Sequence, residues 1–122
     1  MNNFFKRVWK KWSYSVVGLW ITLKEEKSIW AFLGTIPVLI GLGVWFNFKF
    51  IEWSVVSFVI FTVLSVEVIN TALEAAVDTI SFQYNVKVKK IKDIASGATL
   101  VITVGASIAL LLIYIPALLE KL

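Results

Sequence analysis

Polar and apolar residues separate along this chain on the scale of whole helices. Ionisable side chains gather before Ser28, around Lys49 and Glu52, and from Asp78 to Asp93, while residues 28–48 and 94–119 contain no Asp, Glu, Lys or Arg. A third uncharged run, 53–66, is shorter, but its helical pattern continues past Glu67 to about Ile80. A hydrocarbon core about 30 Å thick takes about 20 helical residues to cross. The pattern predicts an all-α integral membrane protein with transmembrane helices over 28–48, 53–80 and 92–117. Phe46-Asn47-Phe48-Lys49 forms the first turn, and Tyr84-Asn85 lies in a longer second link. Pro37 falls inside the first span, where a kink is tolerated, and Pro116 is expected to end the third. Residues 4–24 form a separate element. Phe5, Val8, Trp9, Trp12, Val16, Leu19 and Leu23 make one helical stripe, with Lys6, Arg7, Lys10 and Lys11 opposite. This predicts an N-terminal amphipathic surface helix lying in the membrane interface. Its basic residues suit either an anchor on anionic lipid or a grip on a nucleotide. The first long apolar run starts too late to be a cleavable signal peptide.

Composition narrows the class. The chain has 122 residues, room for one domain over 1–122. It is 59% hydrophobic with 15% aromatics and has a mean hydropathy of +0.85, too apolar to cover a soluble globule or to stay disordered. With neither Cys nor His, thiol nucleophiles, imidazole bases and the usual zinc sites are excluded. Chemistry falls to carboxylates, Lys, Arg, amides and hydroxyls. Lys6, Arg7, Lys10, Lys11, Lys24 and Lys27 precede the first span, and Lys87, Lys89, Lys90 and Lys92 follow the second; the opposite side has Lys49 and Lys121. The bias predicts a multi-pass protein of the cell membrane with its N-terminus and residues 79–93 cytoplasmic. The net charge of +4 is therefore an insertion signal, and no nucleic-acid site is expected. Small residues from Ala95 to Ala109, with Ala72, Ala75 and Ala76, allow close helix approach and favour a homo-oligomer.

The second span carries the candidate chemistry. Glu67, Asn70, Glu74 and Asp78 are spaced 3, 4 and 4 and fall within an arc of about 80° on one helix face. Counting inward from Trp53, Glu67 lies about 21 Å into the bilayer and Glu74 about 31 Å, at the far boundary. A carboxylate at the depth of Glu67 costs at least about 2.5 kcal/mol, which makes it a functional candidate. The plainer use of Glu67 and Asn70 is bonding to neighbouring helices. Glu25-Glu26, before the first span, and Lys92-Asp93, opening the third, sit level with Glu74. Two carboxylates and a lysine at the surface suit Mg²⁺ and a polyphosphate. Lys92-Asp93 could instead be a helix start, and Glu25 a solvated neighbour.

The run Glu67-Val68-Ile69-Asn70-Thr71-Ala72-Leu73-Glu74-Ala75-Ala76-Val77-Asp78 resembles the E-x-x-N-[ST]-A-x-E-x-x-x-D signature of the prokaryotic diacylglycerol kinase family, which includes undecaprenol kinases. Lys92-Asp93-Ile94-Ala95-Ser96-Gly97-Ala98 is similar to its K-D-x-x-[AS]-x-A segment, and Arg7, Tyr14-Ser15, Gly18-Leu19 and Glu26 recur at its spacing. The resemblance implies a homotrimer of three-span subunits with sites between subunits. It implies transfer of the γ-phosphate of MgATP to the hydroxyl of a membrane lipid alcohol, diacylglycerol or undecaprenol. Carried over by position, Glu67 is the base and Glu26 and Glu74 the Mg²⁺ ligands. Arg7, Tyr14, Asn70, Asp78, Lys92 and Asp93 serve ATP, and Ser15 and Ser96 lie by the lipid. Trp30 and Phe32 stand where the family often has a basic residue and then an acid or His, and Gln83 and Asn85 replace a common acid and His. The competing functions are a small transporter using Glu67 as a proton site and a non-enzymatic membrane assembly protein.

Overall fold

A computed structural model describes residues 2–80 and 85–122. These form four helices in chain order: α1 (Asn2–Glu25), α2 (Lys27–Trp45), α3 (Phe50–Ile80) and α4 (Val86–Lys121). The last three are each long and apolar enough to cross a membrane. Gln83 and Tyr84 lie outside the described residues.

Local chemistry sets the ends. α2 stops at Trp45, three residues before the sequence expectation, because Asn47 adopts the left-handed conformation with φ 57°. The Phe48 N–H then donates to the Gly43 carbonyl at 2.9 Å and the Asn47 N–H to that of Val44 at 3.1 Å. Asparagine tolerates this geometry, and the paired bonds close the helix. α3 starts earlier than the expected Trp53, because the Glu52 carboxylate accepts from the Lys49 N–H at 3.1 Å and caps the first turn.

α4 differs most from the expectation. It begins at Val86, not at Lys92, because the Asn85 side chain accepts the Val88 N–H at 2.9 Å. Lysine is a good helix former, so the helix passes through Lys87, Lys89, Lys90 and Lys92 before its apolar stretch. Lys92-Asp93 is therefore not a helix start. Nor does Pro116 end the helix, which continues to Lys121. A proline removes one ladder bond, and neighbouring groups in a membrane protein can absorb that loss.

The closest packing joins α3 to α4. Val56, Val59, Val63 and Val77 of α3, Ile29 of α2 and Ala95 of α4 are buried. At the Asn47 end, Phe46, Phe48, Trp53 and Tyr114 pack edge to face or tilted. There the Tyr114 hydroxyl donates to the Leu39 carbonyl at 2.6 Å and Lys121 Nζ to that of Trp45 at 2.7 Å. α1 touches α2 and α3 only sparsely. The apolar clasp thus lies at one end of the spans, with Lys49, Glu52, Glu120 and Lys121 around it, and most of the charged residues collect toward the other.

Candidate functional site

Glu26 is the one non-helical residue between α1 and α2. It occupies the N-cap of α2 with extended backbone, φ −104° and ψ 112°, yet its carboxylate makes no capping bond. An N-cap acid ordinarily accepts an N–H of the following turn. Here the carboxyl instead lies within hydrogen-bonding reach of Glu74 on α3, with Glu67 and Glu25 also close enough to act on it. Partial burial, then the Glu74 and Glu67 charges, hold the Glu26 pKa above the usual carboxylate value. One chain therefore brings together the two acids assigned to the metal, with the assigned base nearby.

The α3 ladder keeps its order. Asn70 donates through Nδ2 to Glu74 Oε1 at 3.4 Å, while its own amide oxygen is buried without a partner among the described residues. The Thr71 hydroxyl donates back to the Glu67 carbonyl at 3.0 Å. Lys92 of α4 pairs with Asp78 of α3, Nζ to Oδ1 at 2.7 Å, across the 81–85 link. Asp93 turns the other way and pairs with Lys89. The Lys92–Asp78 pair was not foreseen as such, although opposite charges flanking the link were its signal.

Two groups of assigned residues stand apart. Arg7 and Tyr14 line a shallow surface pocket on α1 with Lys10, Lys11 and Ser15. Along one unbroken helix, Arg7 is about 28 Å from Glu26. The two meet one nucleotide only if it lies extended along α1 or if Arg7 comes from another copy. Ser15 also lines an apolar cleft of about 500 Å³ between α1 and α3, with Gly18, Thr22, Val68, Thr71 and Ala72. Ser96 is exposed on α4 and is not among that cleft's lining residues.

Among the described residues, no group of three or more acids gathers to hold a metal alone. Two carboxylates are nevertheless a fitting donor set for a hard cation that keeps water and takes phosphate oxygens. The mutual repulsion of Glu26 and Glu74 is what such a cation would relieve.

The fold and this site define a multi-pass helical membrane protein with an acidic ladder on one span. The family described as prokaryotic diacylglycerol kinase matches residues 13–114. The chain is 30% identical to an undecaprenol kinase of Bacillus subtilis, over 95% of this chain and 94% of that protein. It is 32% identical to a diacylglycerol kinase of Helicobacter pylori strain J99, over 80% and 76% of the two chains. A strain 26695 diacylglycerol kinase is 33% identical over the same shares. This chain belongs to the prokaryotic diacylglycerol kinase family, a family of lipid kinases.

Proposed function

We propose that the protein transfers the γ-phosphate of MgATP to the hydroxyl of a membrane lipid alcohol, with undecaprenol the favoured acceptor and diacylglycerol the alternative. The observation that carries this reading is that Glu26, uncapped at the start of α2, lies beside Glu74 of α3. Undecaprenol is favoured because the Bacillus relative bearing that name aligns over nearly the whole chain.

A Mg²⁺ ion held by Glu26 and Glu74 would draw charge from the polyphosphate and align its terminal group. Glu67 takes the proton of the lipid hydroxyl, whose oxygen bonds to the γ-phosphorus as the bridging β–γ oxygen leaves with ADP. Lys92 exchanges its Asp78 partner for phosphate oxygen and stabilises the charge that spreads over the transferring group. Asn70 orders Glu74, and Asp93 holds Lys89 beside the nucleotide. Glu67 belongs inside the bilayer, where a greasy alcohol can reach it, and Glu26 and Glu74 at the edge, where ATP can. The cytoplasm is the ATP side, in keeping with the lysines there. The distance of Arg7 and Tyr14 from Glu26 favours a homotrimer in which α1 of one copy serves the nucleotide of another.

The test is purified protein in lipid micelles with Mg²⁺ and γ-labelled ATP, offered undecaprenol, diacylglycerol or a soluble alcohol. Labelled lipid phosphate that requires Mg²⁺ is the expected product, undecaprenol being turned over fastest. No label in either lipid would overturn the proposal.

A further inference from the structure

The α1–α2 junction consists of a single residue, Glu26. Such a junction leaves the last carbonyls of one helix and the first amides of the next without helical partners. The Thr22 carbonyl accepts from the Glu26 N–H at 3.0 Å. The Leu23 carbonyl accepts from the indole Nε1–H of Trp30, seven residues on, at 2.6 Å. Trp30 lies in the first turn of α2 and Leu23 in the last turn of α1, so the bond crosses the junction and bridges Glu26. Thr22 and Ile29, on either side of the junction, are buried, but contacts between α1 and α2 are few and Glu26 makes no side-chain cap, so the indole bond adds a directional tie that packing alone does not supply.

We propose that Trp30 is a positioning residue, whose indole N–H braces the α1–α2 junction and thereby holds the Glu26 carboxylate opposite Glu74. The proposal rests on the reading of that pair as the metal-holding acids. Trp30 acts through Glu26 and touches no reactant. A tryptophan at this level could otherwise serve only as an interface anchor, since the residue is 58% exposed and indole suits the headgroup region. The two roles separate cleanly. Phenylalanine keeps an aromatic anchor and removes the donor. Brace and anchor thus predict different outcomes for one substitution.

The chain has no cysteine, so Val17→Cys and Val38→Cys, at exposed sites on α1 and α2, provide two clean spin-label positions. The labelled protein, diluted with unlabelled chain in lipid micelles, reports the α1–α2 distance distribution with no metal or nucleotide present. Trp30→Phe is expected to widen that distribution at least about twofold. In unlabelled protein it is expected to raise the Mn²⁺ concentration for half-saturation, read by electron paramagnetic resonance with non-hydrolysable ATP, by about tenfold, the scale of losing a group that orients a ligand. The Mg²⁺ concentration for half-maximal turnover should rise by a similar factor, with a smaller loss in kcat. An unchanged width and an unchanged Mn²⁺ half-saturation would overturn the proposal. If Trp30→Phe fails to insert, benzothienylalanine at position 30, with sulfur in place of N–H and the ring shape kept, makes the same measurement. If the unsubstituted protein neither binds Mn²⁺ nor phosphorylates lipid, the proposed function fails, and the metal-free distance width alone decides whether Trp30 braces the junction.

Discussion

Glu67 and Glu74 lie two turns apart on one helix, and the proposed mechanism asks different things of them. Glu67→Gln keeps the volume and polarity but cannot accept the hydroxyl proton. It should abolish transfer while leaving nucleotide binding within about twofold, as read by fluorescent ATP analogue titration. Glu74→Gln should weaken Mg²⁺ dependence as well as turnover. Lys92→Ala should lower kcat by about 10²–10³, the cost of losing one donor at developing charge, and near-normal turnover would remove Lys92 from the reaction. Glu26 also predicts a pH effect on the metal-free protein. Its pKa is raised above the ordinary 4.5, by burial first and then by Glu74. The folded state therefore binds this proton more tightly than the unfolded one. That contribution to stability is fully present below pH 4.5 and is lost as pH rises through the raised value. Glu74→Gln should shrink the dependence without abolishing it, because burial remains; identical unfolding-versus-pH profiles would contradict this. The positions of Glu67, Asn70, Glu74 and Asp78 were legible in the sequence because a helix has a fixed period. The bond from Trp30 to Leu23 was not, because an indole reaching a carbonyl across a bend leaves no mark in spacing.

At the scale of elements, apolar runs located the spans, but helix ends follow caps and turns. Asn47, Glu52 and Asn85 moved three boundaries by bonds that hydropathy does not register. The α2–α3 turn supports a sharp prediction. A methyl group added at Gly43 would sit 2.7 Å from Trp53 Cη2 and 3.0 Å from Phe48 Cδ2. Those rings already pack on each other and on Tyr114, so they have little freedom to yield. Gly43→Ala should destabilise the protein by about 1–3 kcal/mol, the usual range for overpacking, measured by reversible unfolding in detergent. Tyr114→Phe removes only the bond to the Leu39 carbonyl and should cost about 0.6 kcal/mol, typical of a hydrogen bond between membrane helices.

For the whole molecule, the pairing of Glu26 with Glu74 in one chain has a genetic consequence. Coexpressed Glu26→Gln and Glu74→Gln chains should not restore activity to mixed oligomers, because each chain lacks half of its own pair. Recovered turnover in copurified mixtures would mean that the pair forms between chains. A mixture of Arg7→Ala and Glu74→Gln chains should recover part of the activity if α1 serves a neighbour. Sequence alone could not separate these cases, since helical periodicity says nothing about which copy supplies a face. The 36 residues of α4 also have a bearing on catalysis. At 1.5 Å per residue the helix is about 54 Å long, against about 30 Å of hydrocarbon. Its first two turns, residues 86–93, carry the charged side chains beyond the apolar run of 94–119 as a stiff jetty. Lys92 is mounted on it rather than on a mobile segment, so an arriving nucleotide need not first organise its dock. Phosphate transfer should then depend only weakly on solvent viscosity, unlike an enzyme that waits for a flap to shut.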